Sequence, residues 1–322
     1  MNDEATRPKV FTLPPEQPFA DTLALGLSAR FAKQPERLAD VLLLLPTRRA
    51  CRSLQEAFLR VSENRPRLLP RLFPLGDLDE EELTLTDPLG LDPEAETTLP
   101  PAMSPLARQF HLARLVARWR AGIAGVGQSD GGDAQDLMLA AELGRLLDQV
   151  ETEGLDFSRL SQLVPEEHAD HWQATLRFLE IVTQFWPAIE KESGSIGAAA
   201  RRRRLLEWQA EAWRRNPPRH PIIAAGSTGS IPATAGLLSV IQGLPEGEVV
   251  LPGLDIDCDA ETWESISKDP SHPQFGMAKL LKGLGVARTD VQVWSGASSS
   301  GDPVGGEPEG RSQIVNLSLS PA

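Results

Sequence analysis

The sequence predicts an α/β fold, a parallel-sheet domain interrupted by an all-helical insertion. Three observations predict it. Val41-Leu42-Leu43-Leu44-Leu45 is a continuous apolar run, the pattern of a strand buried on both faces of a parallel sheet. It runs directly into Arg48 to Val61, where Ala50, Leu54, Ala57, Phe58 and Val61 share one helical face. The strand–turn–helix pattern returns after His220, whereas the chain between about 101 and 218 carries helical signals alone.

Taken in order, Val10-Phe11-Thr12-Leu13 reads as a first strand, followed by a proline-rich turn and an amphipathic helix from about Pro18 to Ala32. Pro46 and Thr47 end the second strand. From about Pro66 to Pro101 the chain is rich in Pro, Asp and Glu and reads as an irregular, exposed excursion. Ser104 and Pro105 supply an N-cap and a first-turn proline for a helix to about Ala121. A glycine-rich linker, Gly122 to Gly132, precedes a helix at Ala134 to Glu153. A long helix is expected over Pro165 to Glu190, with Trp172, Leu176, Leu179, Val182, Trp186 and Ile189 as its buried stripe. Ala198 to Arg215 is a further helix. Pro221-Ile222-Ile223-Ala224-Ala225 returns to strand character, Pro232 to Gln242 is helical, and Glu248-Val249-Val250-Leu251 is another buried strand. From Trp294 the chain becomes Ser-, Gly- and Pro-rich and reads as poorly ordered. The expected division is 1–100 and 219–294 for the α/β domain, 101–218 for the insertion and 295–322 for a tail. No repeat of fixed period is visible.

At 322 residues the chain is long enough for roughly two domains. Its first residues are acidic rather than a secretory signal, and the aliphatic run Val41 to Leu45 is far short of the ~20 residues of a spanning helix. Cys51 and Cys258 match no metal or redox spacing and suit a reducing cytosol. The expectation is a cytoplasmic protein without a membrane segment. A net charge of −13 argues against unspecific polyanion binding, although Arg48 to Arg71 and Arg201 to Arg219 are locally basic.

A phosphate loop of the Gly-Lys-Ser/Thr type is absent. Where it belongs, after the first strand, Pro14, Pro15 and Pro18 remove backbone donors, and Glu16 and Asp21 repel an anion. No apolar strand ends in Asp-Glu to hold magnesium. The sharper signal is Pro46-Thr47-Arg48-Arg49-Ala50. Thr47 can cap the helix, leaving its first N–H groups with Arg48 and Arg49 at the C-terminal end of a buried strand, where open α/β sheets bind ligands. The plain alternative is a capped helix with solvated arginines. Gly226-Ser227-Thr228-Gly229-Ser230 stands at a second strand end. Its glycines permit close backbone approach and its hydroxyls can donate to phosphate, but a plain strand–helix turn needs no ligand. His168 and His171 with their acidic neighbours, the Arg201 to Arg204 run beside Glu207, and the carboxylates of Asp77 to Glu82 read most simply as solvated surface.

Several segments in order resemble one family. They are Val10-Phe11-Thr12-Leu13-Pro14-Pro15, Leu43-Leu44-Leu45-Pro46-Thr47-Arg48-Arg49-Ala50 and Leu72-Phe73-Pro74-Leu75-Gly76-Asp77-Leu78-Asp79. Leu147-Asp148-Gln149-Val150-Glu151-Thr152-Glu153-Gly154, His171-Trp172-Gln173-Ala174-Thr175-Leu176 and Ala225 to Thr234 continue the series. Val250-Leu251-Pro252-Gly253-Leu254-Asp255 and Asp269-Pro270-Ser271-His272-Pro273-Gln274-Phe275-Gly276 complete it. The chain from Val10 to about Trp294 thereby resembles the alphaproteobacterial-type AddB family of double-strand-break repair subunits. The resemblance implies a superfamily-1 helicase-like, P-loop-type sheet with a degenerate nucleotide site. It implies a heterodimer with AddA, which uses the ATP and Mg2+, and action on double-stranded DNA ends and single-stranded DNA. Thr47, Arg48 and Arg49 match the segment that grips single-stranded DNA. Gly226, Ser227, Thr228, Gly229 and Ser230 match the segment where a motor places magnesium-binding and coupling residues, which are missing. Family members are longer and carry their nuclease residues in the part beyond this sequence. The expectation is a non-catalytic N-terminal portion, with no cofactor of its own; the alternatives are a small stand-alone NTPase or hydrolase with an atypical loop and a pure protein-interaction scaffold.

Overall fold

The computed structural model describes residues 9–63, 65–76, 99–123, 133–155, 178 and 180–294. The chain divides into two compact units. One combines Met1–Pro88, Pro217–Ser230 and Leu238–Ala322; the other combines Leu89–Asn216 and Ile231–Leu237.

The first unit is built on a six-stranded sheet in the order β3-β2-β4-β5-β1-β6, with every pairing parallel. The strands are β1 (Val10–Leu13), β2 (Leu42–Leu45), β3 (Arg71–Pro74), β4 (Ile222–Ala225), β5 (Gly247–Pro252) and β6 (Gln292–Val293). The apolar runs of β2, β4 and β5 have no polar face because the sheet is covered on both sides. Helices α1 (Phe19–Arg30) and α2 (Arg48–Val61) pack on one side. Their Leu23, Leu27, Leu54 and Phe58 share a core with Phe11, Leu13, Leu43, Leu45, Ile223, Ala225 and Val250. Strand alternation sends Val10, Thr12, Leu42, Leu44, Ile222, Ala224, Val249 and Leu251 to the opposite face, and these are equally buried.

In the second unit, α3 (Pro105–Ile123) and α4 (Asp133–Glu153) surround a core of Leu112, Leu115, Val116, Ala140, Leu143 and Leu147. A π-helical turn (Ile181–Phe185) adds Ile181 and Val182, and α5 (Trp186–Ser193) adds Trp186. Helix α6 (Ala198–Arg215) completes the unit. Asp136 is buried there because Arg120 holds its carboxylate at 2.5 Å.

Several sequence expectations need correction or completion. The stretch from Pro66 is not irregular throughout: Arg71–Pro74 forms the edge strand β3, in register with Leu42–Leu45, and buries Phe73. The acidic residues 77–98 of the same stretch lie outside the described residues. The long helix expected to reach Glu190 is interrupted by the π-helical turn. Pro187, in the first turn of α5, has no N–H to give to the carbonyl four residues earlier, so the ladder slips there. Val182 and Trp186 are buried as expected, whereas Trp172, Leu176, Leu179, His168 and His171 lie outside the described residues. Trp294 closes the α/β part, and the expected tail, 295–322, lies outside the described residues. The Trp294 ring meets Phe11 edge-on at 5.3 Å, the Arg30 guanidinium stands 4.4 Å over it, and the Trp294 backbone N–H donates to the Thr12 carbonyl.

Between Pro252 and Trp294 the chain also forms α8 (Ala260–Ile266) and α9 (Phe275–Leu284), which the sequence pattern leaves unassigned. Helix α7 (Pro232–Gly243), between β4 and β5, stands where the sequence predicts it.

Candidate functional site

The two segments singled out by sequence lie side by side at the carboxyl edge of the sheet. Strands β2 and β4 are hydrogen-bonded neighbours, so the turns that follow them are adjacent. A Cβ placed on Gly226 would lie 3.6 Å from Cδ of Pro46 and 3.3 Å from the Phe19 ring. The chain crosses the sheet in one direction from β1 through β2 to β3, and in the other from β4 to β5. Right-handed crossovers therefore send the connections after β2 and β4 to opposite faces. That boundary is a topological switch point, where open α/β sheets present a crevice.

Thr47 is exposed, with φ −143° and ψ 161°, and its hydroxyl accepts the N–H of Ala50 at 3.1 Å. This is the N-cap that the sequence predicts. The first N–H groups of α2, at Arg48 and Arg49, have no carbonyl within the helix to receive them. Arg49 is fully on the surface and Arg48 is half-buried. The first turn of α2 contains no acidic residue. A helix start attracts carboxylates and repels cations, so two arginines there oppose the local dipole. Two cationic side chains thus stand in this first turn against the helix's own preference.

Gly226 and Gly229 adopt φ +79° and +62°. Their conformation serves close packing. Gly226 fits against Phe19 and Pro46, and a Cβ on Gly229 would lie 2.7 Å from a methyl of Leu280 on α9. The Gly226 N–H donates to the Val250 carbonyl at 2.9 Å, and the Ser227 hydroxyl accepts the Gly229 N–H at 3.3 Å. Ser227 and Thr228 are half-buried and Ser230 is exposed. The turn is accounted for by the elements that surround it.

The turn after β1 has little to offer a phosphate. Its Pro14 carbonyl accepts the Gln17 N–H at 3.2 Å, and Pro18 caps α1 without a side-chain hydrogen bond. Across from it, the Gly253 N–H donates to the Leu13 carbonyl at 2.8 Å, and Gly253 packs against Pro15. Asp21, in the first turn of α1, is held by Arg60 at 2.7 Å. The Thr12 hydroxyl is also committed, accepting the Leu254 N–H at 2.9 Å.

The loop after β5 gathers Asp255, Asp257, Cys258 and Asp259, a cluster absent from the sequence expectations. Asp255 Oδ1 accepts the N–H groups of Asp257 and Cys258 at 3.0 Å. Asp259 caps α8 through the Thr262 N–H at 2.7 Å, and that hydrogen bond holds its carboxyl below the usual range. Arg288 ties the loop together by donating to the carbonyls of Asp255, Ile256 and Cys258. Burial pushes the Cys258 thiol up despite the pull of Arg288, so it is not a poised thiolate. These carboxylates shape a loop. Among the described residues no group of three or more His, Cys, Asp or Glu is placed to hold a metal ion.

The Arg201 to Arg204 run resolves into separate tasks. Arg201 is buried, with its Nε donating to the Pro100 carbonyl at 3.1 Å, and Arg203 pairs with Glu207 at 3.0 Å. The residues missed by sequence reasoning are Phe19, Gly76 and Leu280, which pack around the Pro46 and Gly226 turns. Gly76 donates to the Pro46 carbonyl at 2.9 Å. No short-range signal marks them, because their neighbours are distant in sequence.

No protein-family model matches the chain, and no curated protein matches its sequence. Among the described residues no helix is long and apolar enough to cross a membrane. Fold and site together define a parallel α/β protein with a basic helix start at a sheet switch point.

Proposed function

We propose that this chain is a DNA-holding repair subunit of the AddB type, an inactive helicase-like sheet with a helical insertion. In this role Thr47, Arg48 and Arg49 hold a phosphate of single-stranded DNA or of a duplex end. The partner AddA supplies ATP hydrolysis and magnesium, and Gly226 to Ser230 brace the DNA-holding turn. The observation that carries this reading is the pair of arginines in the first turn of α2. They stand on a positive helix pole at the carboxyl edge of the sheet, where stability alone favours acidic residues. The proline-filled turn after β1 supports the absence of ATPase chemistry in this subunit. The packing of Gly226 and Gly229 against Phe19, Pro46 and Leu280 supports a bracing part for their turn.

DNA binding by the assembled heterodimer, measured across a salt series with the double variant R48A/R49A, tests the proposal. Removing one phosphate-neutralising cation reduces the log–log salt slope by roughly one, and all sequences weaken alike because phosphate carries no base information. We expect a slope lower by about one to two, since two arginines are removed. An unchanged slope rules out phosphate contact by either arginine.

A further inference from the structure

The first turn of α6 is capped from outside the helix by two carboxylates. Its N-cap residue, Gly197, has no side chain to do so. Glu190, on α5, accepts the Gly197 N–H at 2.9 Å through Oε1. Glu151, near the end of α4, accepts the Ala200 N–H at 3.1 Å through Oε2. A Cβ at position 197 would lie 2.7 Å from that same oxygen, so glycine is what lets the Glu151 carboxylate approach. Ala199 and Ala200 are buried, and the cap therefore sits against the interior of the unit.

The charges facing this point are unbalanced. Asp148 stands one turn before Glu151 on α4, and Arg108 on α3 is ion-paired to Asp148 at 2.8 Å. On α6 itself, Arg201 donates to the Pro100 carbonyl and Arg203 is paired with Glu207. Among the described residues, the charged groups acting on Glu151 are the Glu190 and Asp148 carboxylates, which favour its protonated form, and the Arg108 guanidinium, which opposes them.

We propose that Glu151 and Glu190 form a proton-dependent latch on α6, closed when Glu151 carries a proton and loosened when Glu151 loses it. Burial first, and then the Glu190 and Asp148 carboxylates, push the Glu151 carboxyl up to about 7, against Arg108 and the Ala200 N–H. The folded value lies above the ordinary 4.5, so the proton stabilises the folded turn. That contribution is complete below about 4.5 and is lost as pH rises through about 7. The turn that loosens carries the Arg201 to Arg204 run, so the latch couples the setting of these arginines to pH near neutrality.

Hydrogen exchange of the full chain, read on the segment from Gly197 to Arg204 and corrected for intrinsic rates, tests the latch. Losing one proton with an apparent value near 7 lowers protection about tenfold between pH 6 and pH 8. In Glu151→Gln, which keeps an acceptor for the Ala200 N–H but cannot ionise, protection stays level across that range. Glu190→Gln removes a like charge, and the step should move to lower pH, which a purely structural role would not produce. A flat wild-type profile overturns the proposal. So does a wild-type step that persists in Glu151→Gln, or one that stays in place in Glu190→Gln.

Discussion

Gly229 is held at φ +62° with a would-be Cβ 2.7 Å from the Leu280 side chain, whereas Gly236 lies within α7 with nothing inside 4 Å of its would-be Cβ. The same substitution should therefore have opposite signs at the two positions. Gly229→Ala strains a left-handed backbone and crowds Leu280, costing about 1–3 kcal/mol. Gly236→Ala gains helix propensity, stabilising by about 0.5–1 kcal/mol. Urea-unfolding midpoints of the two variants at matched slope check both signs. A neutral Gly229→Ala would mean that the turn after β4 is free to rearrange. Single residues also show which assignments local chemistry allows. The Thr47 cap is legible because a hydroxyl before a helical run has a nearby N–H to accept. The packing around Gly226 is not, because Phe19 and Pro46 reach it from far along the chain.

At the scale of elements, the turn after β1 makes the strongest statement about chemistry. Prolines at 14, 15 and 18 remove donors, and the neighbouring Gly253 N–H is spent on the Leu13 carbonyl. We expect no saturable binding of a fluorescent ATP analogue with magnesium by the isolated chain. Saturable binding that disappears when the Leu13 to Asp21 turn is altered would contradict this. Strand β3 is hidden in the sequence because Arg71-Leu72-Phe73-Pro74 is short and is bounded by Pro70 and its own Pro74. Proline is tolerated there because β3 is an edge strand. Helix α2, by contrast, is legible to its observed ends, since a wide apolar stripe and an N-cap are both local signals. Helix α9 is hard to see although Met277, Leu280, Leu281 and Leu284 form a buried stripe, because only ten residues carry it.

Across the whole molecule, the sheet is assembled from strands far apart in sequence. Val10 pairs with Val249 and Leu42 with Ile222, so β1 has no sheet partner until β5 and β6 are present. A chain ended at Leu244 leaves β1 without either neighbour. We expect it to lose the cooperative far-UV melt of the α/β unit, while a retained cooperative transition would show that β1 is dispensable. Such long-range parallel pairing is also slow to form, because loop closure precedes the contacts that compensate for it.

The sequence by itself determined where most elements lie and which helix start carries two arginines. Apolar runs, caps and prolines act within a few residues, and the Thr47 cap with the two arginines that follow it is located on that basis alone. Only the tertiary structure decided that the turns after β2 and β4 are neighbours, that Trp294 closes a core with Phe11 and Arg30, and that two glutamates meet on α6. Strand order and the convergence of distant side chains depend on how crossovers and faces pack in three dimensions, and no local pattern in the chain carries that information.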